Sequence, residues 1–159
     1  MSWYQDWSHR VVVGRARPAH ESIFAIWIDG PAGPDGRPVL VSVTDFYIPR
    51  TRDLIRATLE GLRLRRAWPS MPGALGLWLW VKPLSRRSGS VSVWSSNEDL
   101  RRFVGWQRHV QIMRRYRPVG ELTSASWWTE RFDVSEIWET AERRLTGDDC
   151  ELAHTAVER

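Results

Sequence analysis

The sequence predicts an α+β fold in which an antiparallel β-sheet carries helices on one of its two faces. Three segments alternate between two kinds of side chain with a period of two, which is the mark of a β-strand. Three other segments place apolar residues at intervals of three and four, which is typical of an amphipathic helix. Strand and helix segments are interleaved along the chain, so we expect them to form one unit.

The alternating segments are residues 74–82, 88–95 and 122–128. In the first two, aliphatic residues occupy one face, and in all three the other face mixes Gly or Ser with Trp. Further strands are predicted over residues 40–48 and, more loosely, over residues 22–29 and 11–13. A turn with Arg86 and Arg87 at its tip joins the first two segments into a hairpin.

The helices are predicted from a start signal followed by an apolar stripe. Thr51 is the expected cap of the first helix and Asp133, with Glu136 three residues later, that of the last. The middle helix, over residues 97–116, follows two overlapping capping-box spacings, Ser95 with Glu98 and Ser96 with Asp99. The expected buried stripe of the first helix is Leu54, Ile55, Thr58, Leu59 and Leu62.

The resulting order over residues 37–146 is strand, helix, strand, strand, helix, strand, helix. This is the split βαβ, or ferredoxin-like, arrangement. We expect residues 1–36 to form an N-terminal extension with a possible extra strand, and residues 147–159 to form a polar tail.

A sheet with helices on one face leaves its other face bare. We expect that face to carry five aromatic residues, Phe46, Trp78, Trp80, Trp94 and Trp128. So much exposed aromatic surface predicts association. Two sheets facing each other would make a homodimeric barrel with a pocket in each half.

The small residues of that face leave volume, and the tryptophans, eleven in the chain, would wall it with apolar surface. Together they predict a substrate pocket lined by Ser92 and the five aromatic residues, although a tryptophan-rich core without a ligand is the competing interpretation. On the middle helix, Trp106, His109 and Met113 share a face and would reach the pocket edge.

The whole-chain numbers restrict the class of protein. The chain has 159 residues, 42% hydrophobic and 26% charged, as expected for one ordinary soluble domain. No apolar run approaches the ~20 residues of a membrane span, so no membrane partner is expected. With Cys150 as the single cysteine, a disulfide framework and a cysteine-based zinc site are excluded. A cytoplasmic location fits these features.

The basic charge of the chain is almost entirely arginine, because Lys82 is its single lysine. One arginine cluster spans residues 63–66 and another follows residues 101–117. Such clusters can bind phosphate backbones, but amphipathic helices also carry basic faces that are merely solvated. We therefore do not expect a nucleic-acid partner.

The candidates for chemistry are few, since the sequence contains no phosphate loop, HExxH, GxSxG or acidic metal cluster. His109 is the histidine inside a predicted element, and it can act as base, hydrogen-bond donor or metal ligand. Asp45 lies within a strand, where it would be either a general base or the partner of an arginine. No metal or cofactor is required by these residues.

Residues 91–103, with Trp94, the acidic pair Glu98–Asp99 and Leu100, resemble a recurring segment of the dimeric α+β barrel superfamily, which includes the antibiotic biosynthesis monooxygenases. His109 falls where many of those proteins carry a helix histidine. Residues 71–78 also look like relatives of spheroidene monooxygenase. The resemblance extends over residues 40–145.

The resemblance implies a small-molecule enzyme of secondary-metabolite type. The expected activity is that of a cofactor-independent monooxygenase acting on a flat hydrophobic or aromatic substrate, with His109 or Asp45 as base; an isomerase, dehydratase or cyclase is also possible. One alternative is a haem protein with His109 as axial ligand. A second is a non-catalytic dimeric ligand-binding module.

Overall fold

A computed structural model describes residues 12–13 and 22–146 of the chain. The predicted tail, and most of the predicted N-terminal extension, lie outside the described residues. The strands are β1 Val12–Val13, β2 Phe24–Asp29, β3 Val39–Tyr47, β4 Ala74–Lys82, β5 Arg87–Trp94 and β6 Glu121–Thr129. The helices are α1 Thr51–Leu64, α2 Asn97–Val104, α3 Gln107–Tyr116 and α4 Val134–Thr146, with short 3-10 helices at Arg65–Ser70 and Arg117–Val119.

The strands form one antiparallel sheet in the order β1-β2-β4-β5-β3-β6. Its central part, β4-β5-β3-β6, has the ferredoxin-like order, with helices following β3 and β5 in the chain. The predicted α+β fold is therefore confirmed. β2, from the predicted extension, lies beside β4 and continues the sheet, and no helix in the described part is both long and apolar enough to cross a bilayer.

Helices cover both faces of the sheet. The first, here called the three-helix face, includes Leu40, Leu77 and Trp94 and packs under the layer formed by α1, the 3-10 helix Arg65–Ser70, α2 and α3. The second, here called the α4 face, includes Val41 and Val91 and packs against α4.

The expectation of a bare aromatic face is wrong. α4 buries four side chains, Ile137, Trp138, Ala141 and Leu145, against the face that was expected to be open. Trp80 is 2% exposed and Trp94 is fully buried within a single chain. The exposed aromatic face from which a homodimer was predicted therefore does not exist in the described structure. The homodimer remains a prediction, but this face no longer supports it.

The five aromatic residues also do not share a face, because of the register of the hairpin. Trp78 pairs with Val91 and Trp80 with Gly89, so the tryptophans of β4 lie on the same face as the valines of β5. Phe46, Trp94 and Trp128 lie on the opposite, three-helix face. A shift of one residue in strand pairing reverses every side chain, and sequence alternation alone does not fix that register.

α4 is held at both ends by polar contacts. At its start, the Asp133 carboxylate accepts hydrogen bonds at 3.0 Å from the backbone N–H groups of Ser135 and Glu136, as its predicted capping role requires. At its end, the Leu145 carbonyl accepts one bond from Lys82 Nζ at 3.3 Å and one from Arg87 Nη2 at 3.2 Å. Cations at a helix C-terminus satisfy free carbonyls and oppose the helix dipole.

The predicted helix over residues 97–116 is two helices. Ser96 caps α2, and its hydroxyl accepts a bond from the Asp99 N–H at 3.2 Å, so the second capping-box spacing is the one used. The helix breaks at Gly105, and Trp106 has an extended backbone with ψ 128° before α3 begins. Glycine weakens a helix interior, which explains why the break occurs there.

The predicted buried stripe of α1 is mostly exposed. Leu54 is buried, but Ile55, Leu59 and Leu62 are 55%, 47% and 37% exposed. α1 approaches the sheet along a narrow line, where the Thr58 hydroxyl lies 3.4 Å from that of Ser88. Its remaining apolar residues therefore face away from the core.

Two tryptophans allow a matched test of the α4 packing. Replacing buried Trp138 by Ala should lower the free energy of unfolding by about 3–5 kcal/mol, as for a core tryptophan. Replacing Trp128, which is 56% exposed, by Ala should change it by about 0.5 kcal/mol or less. Urea unfolding followed by circular dichroism measures both, and equal losses would contradict the packing of α4 described here.

Candidate functional site

An aromatic cluster fills the space between the three-helix face and the helices above it. Trp94 packs against Trp68 of the 3-10 helix with ring centroids 5.1 Å apart, and against Phe103 of α2 at 5.3 Å. Trp68 and Phe103 also touch edge to face at 5.7 Å. The Trp94 indole N–H donates to the Ser92 hydroxyl at 2.9 Å, so this buried donor is satisfied inside the cluster.

Small side chains do line part of this face, as predicted. Two rows cross β5, β3 and β6, namely Ser92–Ser42–Ser126 and Ser90–Thr44–Ser124. Several of their hydroxyls bond within the sheet: Ser92 donates to the Ser42 carbonyl at 3.4 Å, and the Thr44 and Ser90 hydroxyl oxygens are 3.0 Å apart. These hydroxyls therefore stabilise strand pairing, and their small side chains also leave volume on this face of the sheet.

His109 lies against the aromatic cluster, with its ring centroid 4.6 Å from that of Phe103. Its Nδ1 is 3.1 Å from the carbonyl oxygen of Val104, the last residue of α2. A carbonyl only accepts, so Nδ1 carries the proton and Nε2 keeps a free lone pair. The break between α2 and α3 creates this contact, because the last carbonyls of a helix lack intrahelical partners.

Burial lowers the pKa of His109 below its usual 6.5, and the hydrogen bond to Val104, which acts in the opposite direction, is the smaller effect. The imidazole is therefore mostly neutral near pH 7. A neutral ring with one nitrogen fixed as donor and the other free is equipped to accept a proton or to bind a metal.

A shallow cleft opens beside this cluster. Its volume is about 220 Å³, and it is lined by Ala67, Ser70, Met71, Pro72, Arg102 and Trp106. Trp106 lies between the cleft and the cluster, with its ring centroid 6.5 Å from that of Phe103. Arg102 at the rim is hydrogen-bonded to the Asp99 carboxylate at 2.9 Å.

Asp45, the other predicted base, lies elsewhere. It is on the α4 face, where its carboxylate accepts from Arg87 Nε at 3.0 Å and also from Arg87 Nη2. His109 packs above the three-helix face, so the sheet separates the two predicted catalytic residues. Of the two roles that the sequence allowed for Asp45, the geometry is that of a carboxylate paired with an arginine. Through Arg87, this pair links β3 and β5 to the end of α4.

The remaining predicted contacts are dispersed. Trp78 and Trp80 are buried under α4, with Trp78 4.2 Å from Trp27 and 5.3 Å from Trp138 between ring centroids. Trp128 is exposed on the edge strand β6, and Phe46 is half-buried. The structure thus brings together His109, Trp94, Trp106 and Ser92 and leaves the other predicted residues apart.

Sequence reasoning missed three contributors to this site. Trp68 and Met71 lie between α1 and β4, and Phe103 lies on α2; none of the three was a candidate site residue. The available signal was the tryptophan itself, because a large apolar residue in a loop usually packs against something. The described residues contain no group of three or more His, Cys, Asp and Glu side chains placed to hold a metal ion.

The lowered pKa of His109 makes stability depend on pH. Below pH 6.5 the unfolded chain takes up a proton at this position before the folded chain does, so unfolding becomes easier until the pH passes the folded-state pKa. His109→Gln should remove this component of the acid-induced loss. Urea unfolding of both proteins between neutral and mildly acidic pH measures it, and parallel curves would contradict the burial of the ring.

Comparison with known proteins gives matches in structure alone, since neither a family model nor a curated protein matches the sequence. A protein of Lactobacillus acidophilus, provisionally named a monooxygenase, has a TM-score of 0.51 at 9% identity over 71% of this chain and 57% of its own. The heme-degrading enzyme LmHde of Listeria monocytogenes has a TM-score of 0.50 at 11% identity, over 69% of this chain and 71% of its own.

A third match, also from Listeria monocytogenes, is described as a ferredoxin-fold protein related to antibiotic biosynthesis monooxygenases. Its TM-score is 0.49 at 14% identity, over 58% of this chain and 57% of its own. This chain thus spans a little over half the length of two of these three proteins. At such identities the likeness concerns the fold, and the resemblance to spheroidene monooxygenase relatives stays a prediction. The chain has the ferredoxin-like fold found in monooxygenase-like proteins, as its sequence resemblance implied.

Proposed function

We propose that the protein is an oxidative enzyme of monooxygenase type that acts on a small, flat, hydrophobic or aromatic molecule without a cofactor. The observation that carries the proposal is the state of His109, a neutral imidazole with a free Nε2 beside an aromatic cluster. The shared fold supports an oxidative enzyme and does not define the reaction. A homodimer and a cytoplasmic location remain part of the proposal from sequence.

In this proposal Nε2 of His109 removes a proton from an acidic O–H or C–H of the substrate, which leaves an electron-rich anion and an imidazolium. The anion reduces molecular oxygen and forms a C–O bond, giving a peroxide. Loss of water from the peroxide, with the proton returned by His109, leaves a carbonyl group. One O2 is consumed, one oxygen atom enters the product and the other leaves as water.

The cleft beside Trp106 is the proposed binding site. Its ~220 Å³ is below the ~300–1,000 Å³ of typical drug-sized ligand sites, so the substrate would be small. The Trp106 ring offers a flat apolar wall, while the charge of Arg102 is already compensated by the Asp99 carboxylate. Asp45 has no part in this proposal because it lies on the other face of the sheet.

Oxygen uptake with a panel of small phenols and fused-ring ketones tests the activity. We expect His109→Gln to lower kcat by about 10²–10⁴-fold, the usual contribution of a general base. Trp106→Leu should mainly raise KM, because it removes part of the wall and leaves the base. Gln107→Ala, an exposed change on the same helix, is the matched control and should leave both constants unchanged.

If compounds of the panel raise the melting temperature and none of them is consumed with oxygen, the result contradicts the enzyme and favours the non-catalytic binding module. Turnover that survives in His109→Gln would show that another group is the base.

Haem binding is the second candidate, favoured by one contact. Histidines that bind metals generally donate their second N–H to a carbonyl or carboxylate, as His109 does to Val104. The shallow cleft nearby, however, does not include His109 in its lining, so it supplies no enclosed haem site at this ring. The residues therefore supply a ligand atom without a haem pocket around it, and no step is assigned to iron.

Titration with haemin tests this candidate. We expect weak or no binding, with a Soret band that is the same in the wild type and in His109→Ala. A tight one-to-one complex that is lost in His109→Ala would reverse the ranking of the two functions.

A further inference from the structure

The two sides of this protein carry opposite charge. The layer above the three-helix face, here called the helical layer and formed by residues 50–72 and 97–120, contains twelve arginines and four carboxylates. On the other side, β6 and α4 with the segment between them, residues 121–146, contain three arginines and six carboxylates. The helical layer therefore carries a formal excess of eight positive charges.

Most of these arginines are not neutralised within the molecule. In the part of the chain that the structure describes, carboxylates pair with Arg52, Arg56, Arg63 and Arg102 of the layer. Eight others are exposed and form no ion pair with a described residue: Arg50, Arg65, Arg66, Arg101, Arg108, Arg114, Arg115 and Arg117. They extend from the start of α1 to the end of α3.

The same layer exposes apolar side chains. Ile55, Leu59 and Leu62 form the uncovered stripe of α1, and Val104 and Val119 are 50% and 39% exposed at helix ends of the layer. Single exposed apolar side chains are common on protein surfaces, but three of these share one face of α1, in a layer that also carries eight arginines without an ion pair to a described residue. Apolar side chains set among arginines are typical of helices that lie in the interface of an anionic membrane.

We propose that the helical layer binds the surface of an anionic lipid bilayer. Headgroup phosphates would pair with the free arginines, and the stripe of α1 would enter the boundary with the acyl chains. Each basic residue near such a surface contributes appreciably to binding. The sequence argument against a membrane partner concerned spanning, and a surface contact needs no long apolar run.

Other occupants of this surface fit the observations less well. A second copy of the chain would bring two strongly basic layers together, and like charges repel. Nucleic acid would satisfy the arginines but not the exposed leucines. An acidic protein helix would need one groove, whereas the unpaired arginines are distributed over the whole layer.

Vesicle co-sedimentation of the full chain tests the proposal, with phosphatidylcholine vesicles compared with vesicles containing about one-third phosphatidylglycerol. We expect binding to the anionic vesicles alone, weakened by salt. The double variant R65Q/R66Q should weaken partition by at least about five-fold, the effect of losing one basic contact. Its matched control is R131Q/R143Q on the α4 side, which removes the same charge and should have little effect.

The apolar contribution is tested without a change of charge. Leu59→Ser should weaken vesicle binding, while Leu84→Ser, at an exposed position in the β4–β5 turn, should not. Thermal melts show whether each variant is folded, and Arg65 and Arg66 lie outside the cleft lining, so failure here leaves the proposed activity intact. The proposal is overturned if R65Q/R66Q and R131Q/R143Q lose vesicle binding equally, or if Leu59→Ser leaves vesicle binding unchanged. Either result would show that binding depends on net charge alone.

Two further results would assign the surface to another occupant. Tight binding to an acidic helical peptide, together with no vesicle binding at low salt, would indicate a protein partner. A dimer in light scattering that Leu59→Ser dissociates would indicate a second copy of the chain.

Discussion

The packing of α4 across the sheet decides which surfaces of this protein remain for function. Lys82 and Arg87 both donate to the carbonyl of Leu145, and Arg87 is itself held by Asp45, so the end of the helix is linked to three strands. Asp45 is buried and paired with Arg87, and removing one partner from a buried charged pair is costly. The face that a barrel-forming dimer would share is thereby occupied by the chain's own helix, and open surface remains on the helical layer and at the β6 edge.

The sequence was sufficient for the element order, the ferredoxin-like arrangement and the helix caps at Ser96 and Asp133, because these depend on local patterns. The distribution of tryptophans over the two faces was not predictable in the same way. Alternation shows that Trp78 and Trp80 point to one face, but the choice of face depends on whether Trp78 pairs with Val91 or with its neighbour. That choice is made in the turn, and a shift of one residue moves the aromatic surface to the other side.

The candidate site shows a second limit of sequence reasoning. The apolar spacing of residues 97–116 is continuous, and nothing in its period reveals the break at Gly105. Yet the break gives His109 its character, since it leaves the Val104 carbonyl to fix the proton on Nδ1. The sequence singled out this histidine as a candidate, but its tautomer depends on the position of the Val104 carbonyl and its lowered pKa on burial. Asp45 shows the converse: its unusual position in a strand was visible, and its partner Arg87 came within reach only through the pairing of β3 with β5.

The cleft and the basic surface belong to the same layer of the molecule. Arg102, Ala67 and Ser70 line the cleft, and all three lie within the helical layer, close in sequence to Arg101 and Arg66. A protein lying on a bilayer through this layer would hold the cleft near the membrane boundary, where flat hydrophobic molecules concentrate. The closure of the other face by α4 fits the same geometry, because its acidic surface would then point away from the anionic headgroups. In that case a single orientation of the molecule, imposed by the charge difference between its two sides, would serve both membrane binding and substrate access.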